Sequence, residues 1–223
     1  MGNLINCDEC IYCNKCKKPK HGMPVCWVKR DYERSIKLSC IPKRYLTINP
    51  DRTEFHKDVN FYLNNSIKGV DKGVGLYLQS AKTGTGKTTA ACEILKQYIY
   101  DSVWESAHGR PLPQLPGYFV NMADFKVAFN EQYRGSEYLK MKEKMRIADL
   151  LVIDDLNSGT PTDKILEDLF TVINERYNEN KPVIYTCNIS KTDVINVVGE
   201  RIQSRLFDCR EVLFTGIDHR KGR

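Results

Sequence analysis

The stretch VGLYLQSAKTGTGKTTAACEILKQYIY, residues 74–100, decides the fold. Its first six residues form a short, apolar, strand-forming run. The residues after Lys87 carry apolar side chains at helical spacing. Between the two lies AKTGTGKT, residues 81–88. A glycine-rich turn joining a strand to a helix lets the N–H groups of the turn and of the helix N-terminus converge on phosphate oxygens. The spacing therefore predicts that Ala81, Lys82, Thr83, Gly84, Thr85, Gly86, Lys87, Thr88 and Thr89 cradle the phosphates of a nucleoside triphosphate. Lys87 supplies a point charge on the β- and γ-phosphates, and Thr88 offers its hydroxyl to Mg2+. Ala81 stands where a glycine is usual, a substitution that a small side chain permits.

About seventy residues later DLLVIDDL, residues 149–156, reads as a buried strand ending in two carboxylates. Asp154 is expected to hold the water shell of the magnesium and Asp155 to orient an attacking water. Asp155 is also a favoured turn residue, and its side chain is shorter than the glutamate often found at this place. Together the two motifs describe a triphosphatase.

With 223 residues the chain has room for one sizeable α/β core and a small appendage. No apolar run approaches the roughly 18 residues of a membrane span, and MGNLINCDEC has no basic-then-apolar signal pattern. A cytoplasmic protein with no membrane partner is the expectation. The net charge of +6 is concentrated, because residues 1–44 hold ten Lys and Arg against four Asp and Glu while the remainder balances. That segment suits either an acidic partner, nucleic acid included, or plain solvation.

Six of the nine cysteines also lie in the first 40 residues, as Cys7, Cys10, Cys13, Cys16, Cys26 and Cys40. In a reducing compartment clustered cysteines hold metal more often than they form disulfides. Overlapping C-x2-C spacing predicts a zinc site drawing four ligands from among Cys7, Cys10, Cys13, Cys16, Cys26, His21 and Cys40, with an iron–sulfur cluster as the alternative. Residues 1–40 are accordingly read as a cysteine-rich, metal-binding module and 41–223 as the ATPase domain.

Along that domain, IPKRYLTINPDRTEF (41–55) reads as a linker, and a helix follows that stops near Gly69. Prolines and glycines across 101–117 predict a long surface loop. GYFVN, KPVIYTCN and REVLFTG are further strands alternating with helices, which gives a parallel sheet covered on both faces. Ser190 and Asp193 form a capping-box pattern opening the helix that follows. Lys140, Lys142, Lys144 and Arg146 read as a solvated face, whereas Phe125, Lys126 and Tyr133 have the aromatic and basic character that suits single-stranded nucleic acid.

Asn188 falls at the C-terminal end of its strand, the edge where open parallel sheets bind ligands, and can hold an attacking water or touch the γ-phosphate. Arg201 and Arg205 lie four residues apart in GERIQSRLF, where a rigid helix can present an arginine to a phosphate on a neighbouring subunit. The order IPKRY, AKTGTGKT, LLVIDDL, YTCN, GERIQSRLF and FTGIDHRKGR resembles the DnaC/DnaI-type replicative helicase loaders of the AAA+ class, over residues 41–223. The resemblance implies a sensor role for Asn188, an arginine finger at Arg205, a second sensor at Arg220, and adenine contacts from Ile41 and Tyr45. It further implies ATP and Mg2+ as cofactors, self-assembly through the ATP sites, a hexameric replicative helicase and single-stranded DNA as partners, and residues 1–40 as the helicase-binding part. Hydrolysis would be slow and stimulated by DNA or partner, in a phage or bacterial replication system. A transposition helper of the IstB type, or an adaptor that inhibits the helicase or its host loader, would share the same core.

Overall fold

The computed structural model describes residues 12, 26–48, 50, 55–131, 136–159 and 161–216. The described helices are α1 (Trp27–Leu38), α2 (Lys43–Thr47), α3 (Lys57–Asn64), α4 (Ser66–Asp71), α5 (Lys87–Ser106), α6 (Met122–Asn130), α7 (Glu137–Ile147), α8 (Asp163–Asn178) and α9 (Ile195–Leu206). The strands are β1 (Leu76–Gln79), β2 (Gly117–Asn121), β3 (Leu150–Asp154), β4 (Val183–Cys187) and β5 (Arg210–Leu213). All pair in parallel in the order β2-β3-β4-β1-β5.

Strand side chains alternate between two buried layers, as a pleat with a period of two requires. Leu150 and Val152 of β3 join Leu76, Leu78 and Ile184 beneath α5, with Ile94, Leu95 and Ile99. Leu151 and Ile153 face the opposite way, into a layer built on α6 to α9 with Phe125, Leu169, Val172 and Ile202. Gly117 lets α5 approach β2, since a Cβ there would sit 2.4 Å from a Leu95 methyl.

Three elements differ from the sequence reading. Helix α5 continues through Ser106, because the prolines that stop regular structure begin only at Pro111. The helix expected to end near Gly69 is two helices, broken where Asn65 leaves helical geometry at φ −138°. Within 1–40, residues 27–38 form α1, which packs on α5, and the Phe119 N–H donates to the Ser39 carbonyl at 2.8 Å. The boundary drawn at residue 40 therefore falls between two helices, α1 and α2, that both contact α5. Cys7, Cys10, Cys13, Cys16 and His21 lie outside the described residues. Tyr12 is described: its ring is buried, stacked 4.3 Å from Tyr100, and its hydroxyl donates to the Tyr100 carbonyl.

At the end of the sheet away from the phosphate loop, Arg176 of α8 is 1% exposed. Its Nη1 donates to the carbonyls of Met145, Arg146 and Ala148, and its Nη2 to those of Asp149 and Pro182. The guanidinium thus collects carbonyls from the end of α7 and the approaches to β3 and β4. Burial pulls its pKa down to about 10, so it remains cationic at neutral pH. Arg176→Met keeps the bulk and removes the donors. Two or three carbonyls left bare cost ~1–3 kcal/mol each, so denaturant unfolding should show a loss of about 4 kcal/mol. A loss under about 1 kcal/mol would contradict this role.

Candidate functional site: a triphosphate cradle at the carboxyl edge

Ser80 and the phosphate loop connect β1 to α5. Gly84 and Gly86 adopt left-handed backbones, φ 73° and 94°, which glycine enters without steric cost. That path sets Lys87 as the first residue of α5, 6% exposed at the helix N-terminus. Thr83 to Thr89 line a cavity of about 890 Å3 together with Tyr45, Asp155 and Asn188. Ala81 and Lys82 are exposed on the outer part of the loop, where the Lys82 N–H donates to Ser80 Oγ.

Polar groups converge on this edge from four elements. Lys87 Nζ donates to Asn188 Oδ1 at 2.8 Å and to the Lys82 carbonyl at 3.2 Å. The Thr88 hydroxyl donates to Asp154 Oδ1 at 2.8 Å. Asp154 ends β3, 5% exposed, and also receives Thr186 Oγ1 at 2.7 Å and Asn121 Nδ2 at 3.2 Å. Desolvation raises its carboxyl above the ordinary range, while the Thr186 and Thr88 hydroxyls oppose that shift. The neighbouring Asp155 faces the cavity with φ 52°, its N–H bound to Thr186 Oγ1 at 2.9 Å. Asn157 Oδ1 accepts the Asn188 N–H at 3.0 Å and pins the end of β4.

Thr186, Asn121 and Asn157 escaped the sequence reading. Each acts through a partner distant in sequence, and the only signal was their place at or just beyond a strand's end.

These residues fit a magnesium triphosphate. The Thr85 hydroxyl is buried with no hydrogen-bond partner among the described residues, on the wall of the cavity. Thr88 lies between that cavity and a carboxylate, where a metal-bound water can be shared. Among the described residues no group of three or more His, Cys, Asp or Glu is placed to hold a metal, and magnesium bound through phosphates and waters needs none.

The remaining candidates fall as follows. Tyr45 lines the cavity, and Lys96 Nζ holds the end of α2 by donating to the Tyr45 and Ile48 carbonyls. Ile41, expected at the adenine, instead packs into the core beneath α5, 6% exposed and off the cavity wall. Phe125 corrects a second expectation, since it is fully buried and cannot stack on a nucleic-acid base. Lys126 is engaged with the Ser158 carbonyl. Lys142 pairs with Asp168, and Arg146 with Glu143 and Glu175, so half of the basic α7 series is tied to neighbouring carboxylates. Tyr133 and Arg220 lie outside the described residues.

Cys26 precedes α1 and Cys40 follows it, so twelve helical residues at ~1.5 Å each keep them about 18 Å apart. They cannot both ligate one ion. Arg205 lies on α9 beside a separate pocket of about 320 Å3 and does not line the phosphate cavity.

Comparison with known proteins agrees with this geometry. The model of the bacterial DnaA ATPase domain matches residues 82–209. The chain belongs to that family, a branch of the AAA+ ATPases. The chromosomal replication initiator DnaA of Borrelia garinii subsp. bavariensis is 33% identical over 87 residues, 39% of this chain and 18% of that protein. The chain therefore matches less than a fifth of this relative's length. In fold it is similar to the crystal structure of the DnaC helicase loader, at TM-score 0.57 and 24% identity, covering 78% of this chain and all of that one. It is likewise similar to DnaI, at TM-score 0.59 and 16% identity, covering 79% and 95%. The likeness to DnaC/DnaI-type proteins read from the linear motifs is thus matched in three dimensions.

Thr186→Val removes one hydroxyl from Asp154 while keeping side-chain volume. Because that hydroxyl holds the carboxyl down, its loss lets Asp154 take up a proton at a higher pH. Mg2+-dependent nucleotide binding, measured between pH 5 and 8 as an order-of-magnitude span around neutrality, should fail at a higher pH in the variant than in the unaltered chain. Coincident acid limbs would remove Thr186 from this role.

Proposed function

We propose that the chain is an ATP-dependent loader that places a hexameric replicative helicase on single-stranded DNA. ATP with Mg2+ would bind in the 81–89 cradle, Lys87 neutralising the phosphates and Asn188 meeting the γ-phosphate once Lys87 has turned to it. Asp154 would hold the metal's waters through Thr88, and Asp155 would orient the attacking water. Tyr45 would lie beside the adenine, and Arg220 would serve as a second sensor.

The observation that carries this reading is the separation of Arg205 from the chain's own cavity. Among the described residues the cavity wall carries one arginine, Arg44 beside Tyr45, and the half-buried Arg205 of α9 is not on it. Two copies in series would complete each other's sites. Hydrolysis is then tied to assembly, and turnover stays slow until DNA or the helicase arranges the subunits.

Two variants test the shared site. Lys87→Ala disables its own cradle yet keeps Arg205, and Arg205→Ala does the reverse. Each alone should lose ATPase activity by roughly 100-fold or more, whereas an equal mixture should regain a substantial fraction. No recovery sinks the shared-site reading. Loading itself is read by capture of the helicase on circular single-stranded DNA, added before or after the chain. A chain that only blocks unwinding is an inhibitor.

For the segment carrying Cys7, Cys10, Cys13, Cys16 and Cys26, within the 1–40 module, zinc is the proposed ligand and helicase binding the proposed task. Elemental analysis of the purified chain should find about one zinc per chain, four thiolate or imidazole ligands making one tetrahedral site. A brown, iron-containing protein would replace that assignment with a cluster, and a metal-free one would remove it.

A further inference from the structure

Helix α8 presents Phe170, Asn174 and Tyr177 at intervals of four and three residues, which puts them on one face. That face meets the two arginines of α9. The Arg205 guanidinium carbon lies 5.6 Å from the Phe170 ring centre and 5.4 Å from that of Tyr177. Its Nη2 donates to Asn174 Oδ1 at 2.9 Å, and its Nη1 to Ser204 Oγ at 2.8 Å. Arg201 lies flat on Phe170, 3.8 Å from the ring centre. Long arginine side chains on a surface ordinarily sample many rotamers, and fixing one costs entropy. Here two rings and an amide oxygen hold Arg205 in one pose.

The helix beneath is also fixed. Gly199, at φ 77° and ψ 165°, separates the half of α9 that bears the arginines from the half before it. Gln203 Nε2 donates to the Lys191 and Thr192 carbonyls, and Lys191 Nζ to those of Phe207 and Cys209. The middle of the arginine-bearing segment and the residues just after it are therefore tied to the segment after β4.

We propose that Asn174, with the rings of Phe170 and Tyr177, is a positioning residue that presents Arg205 to the triphosphate of the neighbouring subunit. Cation–ring contacts hold the flat guanidinium in plane but leave it free to rotate. The Asn174 oxygen removes that freedom; with Ser204 Oγ it takes two of the five N–H donors, Nε is buried, and one hydrogen on each of Nη1 and Nη2 remains for a phosphate. Displacing a reacting group by about 1 Å can cost on the order of 100-fold in rate. This inference rests on the shared-site reading, and its test separates the two.

Asn174→Leu removes the acceptor at similar volume, and Asn174→Asp keeps it. The Leu variant should lower kcat about 10-fold, an order-of-magnitude share of that misplacement effect. Its affinity for ATP, measured on isolated subunits, should stay unchanged. Mixing it with Lys87→Ala subunits, whose Arg205 is properly held, should restore activity. A Lys87→Ala, Asn174→Leu double variant should fail to rescue Arg205→Ala. The Asp variant should recover most of the rate.

Tyr177 is 49% exposed, so Tyr177→Leu removes a ring without emptying the core and should show the same rescue pattern. If Arg205→Ala is inactive and rescued while both Leu variants behave like the unaltered chain, the positioning role is overturned and the shared site stands. An active Arg205→Ala chain overturns both.

Discussion

A carboxylate ending a buried strand organises this molecule. Asp154 cannot leave water without compensation, because a buried charge lacking partners costs several kcal/mol. Here the compensation comes from three directions at once: Asn121 at the end of β2, Thr186 in β4 and Thr88 in the first turn of α5. The β2–β3 register places Asn121 directly opposite Asp154. Strand alignment and helix placement thus share a single requirement. A slip of one residue in any of these strands would point Asp154 or Thr186 into the opposite, apolar layer.

The strand order turns that requirement into a site. β4 lies between β1 and β3, so the phosphate loop and the carboxylate are not on adjacent strands. The crevice between them is bridged by residues of β4 and its end: Thr186 toward Asp154, Asn188 toward Lys87. Asn157 and the Asp155 N–H fasten the loop after β3 to the same strand. Arg176 performs the matching service at the opposite end, where it gathers carbonyls at the entrances of β3 and β4. The central strands are held at both ends, and their carboxyl edge is left polar for a ligand.

What was legible in the residues follows from this arrangement. That Lys87, Thr88 and Asp154 gather at one edge of the sheet was readable, because a strand–glycine turn–helix and a strand ending in carboxylates carry local signatures. Sheet and helix order was readable from periodicity. Helix α1 was not, because its cysteine-rich flanks outweighed an amphipathic pattern whose partner, α5, lies far along the chain. The burial of Ile41 was hidden for a related reason: a resemblance assigns a segment to the base, and only packing decides which of its side chains face inward. Thr186, Asn121 and Asn157 carry ordinary polar identities, and their function exists only in the pairing between strands. The same holds for Phe170, Asn174 and Tyr177, which periodicity counts as part of a helix surface and the fold turns into a seat for two arginines.

Asp155 shows how local geometry bears on the chemistry. Its backbone is left-handed, a conformation that aspartate and asparagine tolerate far better than most side chains. Thr186 holds its N–H, which fixes that conformation from the neighbouring strand. A glutamate here would reach about one methylene farther into the cavity but would be less at ease in that backbone region. The fold thus favours a short carboxylate on the cavity wall, and on the proposed reading its hold on a water would depend on how closely the site is drawn together. On the proposed reading, only assembly does that drawing together, because the arginine that completes the site comes from the next subunit.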